Sequence, residues 1–332
     1  MTAATSEHAG IRAGIHAPRR AAAVPARDSL PASLFELPEP LSARPDDSPV
    51  HHVRVALDSR LRALLRHDPG ARTGADVEDV HQMRVAVRRM RAALKAAAPL
   101  LDADWADELR AELGWLGRSL GPVRDLDVLL PRLRQLASNL PAEERAFAEQ
   151  LIGALDDEYR EARQDMLAAL SAPRYTTLLE RLADAVRCPL PTPKASKKQP
   201  QLIKLVRKQY RSLSKAVRRA GDNPSDEMLH ALRIKGKRLR YTGELAEPVL
   251  GKPVRQLLDA TSGLQEVLGD HQDACVAQHR IRELVAGLGE TPNPMMMFVA
   301  GRLVEREYAR GQHQRSLWWA AWEKIVARAE RL

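Results

Sequence analysis

The chain has 332 residues, 44% of them apolar and only 4% aromatic, and its 52 Lys and Arg against 43 Asp and Glu give a formal net charge of +9. That is apolar content enough for one large core or two modest ones, while no run of about 18 apolar residues exists to span a bilayer. Two cysteines, Cys188 and Cys275, fit neither a disulfide framework nor a zinc spacing, so the chain reads as a protein of a reducing cytoplasm.

Residues 1–50 carry five Arg against six Asp and Glu, so the remainder carries +10 and the basic excess belongs to the folded part. This segment is rich in Ala, Pro and Arg. Its acidic residues, including Glu36, Glu39, Asp46 and Asp47, argue against a transit peptide and leave a disordered N-terminal tail as the expectation. The one strand-like stretch is 33–37. From residue 51 on, Ala, Leu and Arg dominate and β-branched alternation is scarce, which predicts an all-α fold. Capping and breaking residues place helices near 51–67, 77–98, 103–120, 123–139, 142–170 and 174–187. A Pro- and Lys-rich linker follows over 188–200, then helices near 201–220, 225–247, 253–268, 270–288 and 293–328. The expected domain thus spans 51–330 in two halves, 51–187 and 201–330.

Those halves share a motif. His81-Gln-Met-Arg84-Val-Ala-Val-Arg88-Arg89-Met-Arg91 returns 149 residues later as His230-Ala-Leu-Arg233-Ile-Lys-Gly-Lys237-Arg238-Leu-Arg240. On a helix, positions i, i+3, i+7 and i+10 fall within roughly 80°, so His81, Arg84, Arg88 and Arg91 share one face, as do His230, Arg233, Lys237 and Arg240. Such rows repel themselves by up to ~1 kcal/mol per neighbouring pair near a surface, a repulsion that a multiply charged anion relieves. Met83, Val87, Met90 and Leu94 form the apolar stripe of the first helix. In the second, Leu232, Gly236, Leu239 and Gly243 take the matching places, and the glycines there allow a neighbouring helix to approach. Asp76 and Ser225, also 149 apart, stand as N-caps, with Asp79 completing a capping box in the first copy.

A second repeat follows each motif: Leu120-Gly121-Pro122-Val123-Arg124-Asp125 and Leu268-Gly269-Asp270-His271-Gln272-Asp273. Each reads as a glycine stop before a new helix with an aspartate in its first turn, which makes Asp125 and Asp273 equivalent residues that cap their helices and orient motif arginines. Arg89 and Arg238 also fit the basic pattern and are secondary binding candidates; lying about 80° from the histidine direction, they have pairing with Asp125, Asp273 or Glu244 across a seam as the alternative. A third basic row, Lys204, Arg207, Lys208, Arg211, Lys215 and Arg218, has no acidic residue within it and is read as a flank of the binding surface. The histidines His51, His52, His271 and His279 lack a compact metal spacing and sit among cations, so no metal site is assigned. The five tryptophans, Trp105, Trp115, Trp318, Trp319 and Trp322, lie in amphipathic helices and read as core.

The repeated His-x-x-Arg-x-x-x-[Arg/Lys]-Arg-x-Arg, each copy followed by Leu-Gly-x-x-x-Asp, resembles the CHAD domain, a histidine-bearing α-helical domain, over roughly residues 50–330. The resemblance implies two helical bundles related by internal pseudo-symmetry, whose basic faces bind inorganic polyphosphate without catalysis. It carries the primary sites onto His81, Arg84, Arg88, Arg91, His230, Arg233, Lys237 and Arg240. The expected location is the cytoplasm, with granule attachment one role left open beside sequestration, regulation by polyphosphate and tethering; divalent cations, opposed by the surrounding Arg and Lys, are expected to arrive on the polyphosphate, and no cofactor is expected. Nucleic-acid binding is the alternative, weakened because no aromatic interleaves with a basic row. A polyphosphate or triphosphate hydrolase is a further alternative, for which no acidic cluster at magnesium-holding spacing and no phosphate loop is found.

Overall fold

The computed structural model describes Leu34, Leu37, residues 39–191 and residues 200–331. Among these the fold is helical throughout: α1 (Pro49–Thr73), α2 (Val77–Ala96), a short 3-10 turn (Ala98–Leu100), α3 (Ala103–Ser138), α4 (Ala142–Ser171), α5 (Pro173–Arg187), α6 (Pro200–Ala220), α7 (Asp226–Leu250), α8 (Lys252–Ala286) and α9 (Pro294–Ala329). Residues 192–199 of the expected linker, residues 33, 35 and 36 of the expected strand, and residues 1–33 of the expected tail lie outside the described residues. Leu34 and Leu37 are not in a strand; Leu34 is buried and Leu37 and Leu41 pack on the core. Leu41 N–H donates to Asp58 at 3.0 Å, so the packed part begins before residue 51.

The caps fall where the sequence put them, with one exchange of partners. Asp76 accepts from Glu78 N–H at 2.8 Å and Ser225 from Met228 N–H at 3.3 Å, each supplying an acceptor to an otherwise unpaired helical donor. Asp79, expected to complete a capping box, instead meets His67 Nδ1 at 2.7 Å and ties α2 back to α1. The apolar stripes are buried: Met83, Met90 and Leu94 are fully enclosed, with Val87, Leu232 and Leu239 nearly so. Gly243 shows why that stripe carries glycine, since a Cβ there would stand 2.8 Å from the Leu258 side chain of α8.

Two expected breaks are absent. The helices predicted over 103–120 and 123–139 are one helix, α3, and those over 253–268 and 270–288 are one helix, α8. Gly121 and Gly269 are therefore interior residues, and Asp125 and Asp273 cap nothing. Pro122 lacks an N–H and leaves the carbonyl one turn back without its usual donor, but the helix runs on because α2 and α4 pack along α3.

Helices pack largely in chain order, α1 on α2, α2 on α3 and α3 on α4, then α6 on α7, α7 on α8 and α8 on α9, with α5 returning to α1. The two series join where α2 meets α7 and α4 meets α9, and one core cluster contains residues of both. Deep in the first series Arg72 donates to both oxygens of Asp68, at 3.1 and 2.9 Å, and to the Leu170 carbonyl at 2.7 Å, while Tyr175 O–H donates to Asp68 at 3.2 Å. This network ties α1, α4 and α5 together. Because removing one member strands a buried charge, Arg72→Ala is expected to lower stability by about 3–5 kcal/mol; a urea midpoint within error of the wild type would show the network to be dispensable.

Candidate functional site: a cationic groove between the motif helices

The face of α2 opposite its buried stripe looks across to α7, and the space between them, floored by α3 and α8, is a groove of about 610 Å³. His81, Arg84 and Arg88 enter it from α2, and Arg233 and Lys237 from α7. The two basic rows thus meet in one place. Arg124, Leu126, Val128 and Arg132 line it from α3, and Gln272, Val276 and Arg280 from α8. Seven Arg and Lys line the groove against three acids, Asp125, Glu158 and Asp273.

Arg84 is the most firmly positioned of the cations. It donates to the Gly121 carbonyl at 2.7 Å and stands 3.2 Å from Asp125 Oδ1. A Cβ on Gly121 would come within 3.0 Å of Arg84 Nη1, and one on Gly269 within 3.8 Å of Arg233 Nε. Gly121 is therefore the slot in which Arg84 lies, with Asp125 one turn on as its counter-charge, whereas at Gly269 the Arg233 side chain stands at ordinary contact distance and a Cβ would fit. In the second copy, Asp273 faces Arg233 without a direct ion pair among the described residues; Arg233 is the foremost charge acting on it. Arg233 Nε is buried without a hydrogen-bond acceptor.

Crowding of like charge shows in the proton affinities. Burial, then Arg233 and Arg88, push the Lys237 amine down to about 7. Burial, then Arg124, lower His81, with Arg88 and Arg84 adding to the effect against Glu78. Burial also lowers Arg233, opposed by Asp273 and assisted by Arg88 and Arg84. Arg84 and Arg88 act on all three; Arg88, exposed and without an ion pair among the described residues, is the less neutralised of the two. Asp273 is raised, first by burial, so even the acid in the groove is held less firmly in its charged form than a solvated aspartate.

Other expected residues lie elsewhere. His230 is exposed at the start of α7, with Nδ1 2.6 Å from Gln272 Oε1, and reaches the groove only through that glutamine. Arg240 turns to Glu244 at 3.1 Å and Gln265 at 3.4 Å, and Arg89 meets the same Glu244 oxygen at 3.3 Å, which is the seam pairing expected of Arg89. Arg91 stands against Gly114 and under the influence of Arg110 and Arg118; Lys95, one turn on, is lowered foremost by Arg238. Arg238 thus sits beside a second basic cluster at the far end of α2 and not beside an acid of the groove. The exposed row Lys204, Arg207, Lys208, Arg211, Lys215 and Arg218 lies on α6, and none of it lines the groove.

Three cations were missed. Arg124 and Arg132 lie eight residues apart on α3 with Val128 between them, and Arg280 follows Asp273 and Val276 at i+7 and i+4 on α8. That periodicity lies wholly within the expected helices 123–139 and 270–288, but outside the repeated His-x-x-Arg motif to which the basic positions were confined. Arg132 is braced by Glu307 of α9, and Arg280 by Glu158 and Glu283. Of the tryptophans, Trp318 and Trp322 are buried, Trp105 and Trp115 partly so, and Trp319 is exposed.

Comparison with known proteins gives this geometry its relatives. Two curated sequences from Mycobacterium tuberculosis strains, described only as uncharacterized proteins, are each 31% identical over 258 residues, covering 74% of this chain and 48% of theirs. The chain thus spans about half the length of the curated relatives it matches. Among solved structures, the CHAD domain from the plant Ricinus communis superposes with a TM-score of 0.65 at 26% identity, covering 89% of this chain and 96% of that one. PptA from Streptomyces chartreusis superposes with a TM-score of 0.66 at 19% identity, covering 83% and 100%, a likeness of fold. The family model for the CHAD domain matches residues 55–282, a span that holds both basic motifs and both Leu-Gly-x-x-x-Asp elements, and the chain belongs to that family.

Proposed function

We propose that the chain is a non-catalytic binding module for inorganic polyphosphate, built as one internally duplicated domain whose two motif copies form a single site. The observation that carries this reading is the convergence of Arg84, Arg88, Arg233 and Lys237 in one groove with few acids to neutralise them. Polyphosphate presents about one negative charge per phosphate on a flexible line, which suits guanidinium forks spaced by helical turns of ~5.4 Å. An open groove without base-sized aromatic platforms favours it over nucleic acid, because its lining offers only Arg, Lys, His, Gln and aliphatic side chains beside its three acids and Pro122.

Hydrolysis would need carboxylates free to hold a metal. Of the three acids in the groove, Asp125 is engaged by Arg84 and Glu158 by Arg280, and Asp273 faces Arg233. Arg84 and Arg280 have taken up carboxylate oxygens that magnesium would require, Asp273 alone makes no magnesium site, and the geometry favours holding the anion over cleaving it. Attachment to cytoplasmic polyphosphate granules, with divalent cations carried on the polymer, is the setting that fits such a module.

Charge removal within the groove and outside it separates a site from mere basicity. If about eight charges engage, affinity for long polyphosphate falls by a factor of order 10³ to 10⁴ between 50 and 200 mM salt. Combining Arg84→Ala, Arg88→Ala, Arg233→Ala and Lys237→Ala is expected to reduce the log–log salt slope by about 3. Combining Lys204→Ala, Lys208→Ala, Arg211→Ala and Lys215→Ala removes the same charge from α6 and should cost far less affinity. Equal losses in both variants would reject the groove, displacement of polyphosphate by nucleic acid at matched phosphate concentration would favour the alternative ligand, and phosphate release with magnesium or manganese would make the protein an enzyme.

Lys237 sets the pH dependence. Its amine is held down at about 7 in the free groove, and a bound phosphate favours the charged form, so binding takes up a proton. Affinity should fall as pH rises from 7 towards the ordinary lysine range, and His81 should add a further gain as pH drops from about 8 to about 6. Lys237→Arg keeps its charge and is expected to flatten the profile above pH 7. Identical profiles for wild type and Lys237→Arg in calorimetric titrations would remove Lys237 from the linkage.

A further inference from the structure

One group of ligand-type side chains stands outside the groove's work. Asp226 opens α7, while His271 and Cys275 sit one turn apart on α8, the i, i+4 spacing that puts two side chains on one helical face. His271 is only 3% exposed, and its Nε2 lies 3.3 Å from Asp226 Oδ1. Cys275 Sγ lies 3.7 Å from Asp226 Oδ2 and 3.9 Å from His271 Nε2. Among the described residues this is the group of three whose ligand atoms lie close enough to share an ion.

One oxygen of Asp226, a ring nitrogen of His271 and Cys275 Sγ lie within 4.8 Å of one another, a set that a cation can draw together into corners of a coordination tetrahedron. With bonds of about 2.0 Å to nitrogen and oxygen and about 2.3 Å to sulfur, neighbouring ligand atoms stand roughly 3.3–3.5 Å apart. Oδ1 makes the His271 contact and Oδ2 the Cys275 contact, so a small rotation of the Asp226 carboxylate and closure of the Cys275 side chain would bring one oxygen, the imidazole and the sulfur to three corners. We propose that Asp226, His271 and Cys275 form a three-ligand site for a borderline-soft divalent cation of the zinc class, with the fourth corner open to water. A mixed oxygen, nitrogen and sulfur set selects such an ion over magnesium or calcium, which take oxygen ligands.

The surroundings hold the carboxylate in place. Arg315 of α9 donates to Asp226 Oδ1 at 2.7 Å and to Asn223 Oδ1 at 3.2 Å, and also to the Pro224 carbonyl, leaving Asp226 Oδ2 turned to the sulfur. A ligand carboxylate braced by an outer hydrogen bond is the usual arrangement at metal sites. Burial lowers His271, which keeps the imidazole in its neutral, ligating form, and burial with Asp226 pushes the Cys275 thiol up to about 11. The thiol is therefore no standing nucleophile at neutral pH, and a cation would bind by displacing its proton. The repeat supplies an internal control: the positions equivalent to Asp226, His271 and Cys275 in the first copy are Val77, Val123 and Asp127, so one ion per chain is expected, not two.

Chelator-stripped full-length protein, without polyphosphate and with a non-thiol reductant, is titrated with Co²⁺ and then Zn²⁺. The expected result is one equivalent of Co²⁺ bound with a sulfur-to-metal charge-transfer band, displaced by Zn²⁺. Cys275→Ser should abolish the band and weaken Zn²⁺ at least tenfold, Asp226→Asn should weaken it with the helical melting profile retained, and Cys188→Ser at the exposed second cysteine should change nothing. Absence of saturable binding, binding unchanged in Cys275→Ser, a band lost with Cys188→Ser, or uptake only when polyphosphate is added would each overturn the site. None of these readouts depends on what the groove binds.

Discussion

Like charges held face to face across the contact of α2 and α7 are the constraint around which the structure is arranged. Arg84 and Arg88 on one helix depress the proton affinities of Arg233 and Lys237 on the other, so the rows lie within each other's field. Their mutual repulsion opposes the contact between the helices, and apolar burial must exceed it. Met83, Val87, Met90 and Leu94 on α2, and Leu232 and Leu239 on α7, all nearly inaccessible, provide that burial on the far faces of the same two helices. Amphipathicity here is the means by which packing energy holds a cationic surface closed on itself.

Backbone and counter-charge limit the cost at individual positions. The Gly121 carbonyl and Asp125 receive Arg84, and Glu307, nearly fully buried, receives Arg132. These acceptors are reached by helix–helix approach, and close approach depends on absent side chains at Gly121 under Arg84 and at Gly243 under Leu258. Arg88, by contrast, is left with solvent as its partner among the described residues. Charge is therefore fixed at the groove floor and free at its mouth, an arrangement that orients an incoming anion without demanding one register of it.

Periodicity made the two rows, the buried stripes and the caps at Asp76 and Ser225 legible, because each depends only on position along one helix. What depends on a neighbouring helix was not legible. Gly121 and Gly269 look like helix stops when only local propensity is weighed, and packing of α3 and α8 overrides that propensity. Arg240 shares a face with Arg233 and Lys237, yet Glu244, four residues on, and Gln265 of α8 draw it away from the groove. Asp79 had the spacing of a capping box, and a histidine on another helix took it. Asp125 was expected to pair with an unspecified motif arginine and does so with Arg84, while Asp273 makes no direct ion pair with Arg233 among the described residues; the proposed zinc-class group was not legible because Asp226 stands 45 residues from His271.

The one chemical difference between the two rows now has a physical account. Position 88 on α2 is exposed and carries arginine; the matching position 237 on α7 is mostly enclosed and carries lysine. An arginine at 237 would remain charged whatever its surroundings, adding an unrelieved cation beside Arg233, whose Nε is itself buried without an acceptor. A lysine can shed its proton while the groove stands empty and recover it when an anion enters, so the desolvation penalty is paid only when there is an attraction to offset it. The loss of a bidentate fork at that position is thus tied to burial: the deeper row gives up some phosphate-gripping geometry in return for a free state that the apolar contacts of α2 and α7 can hold together.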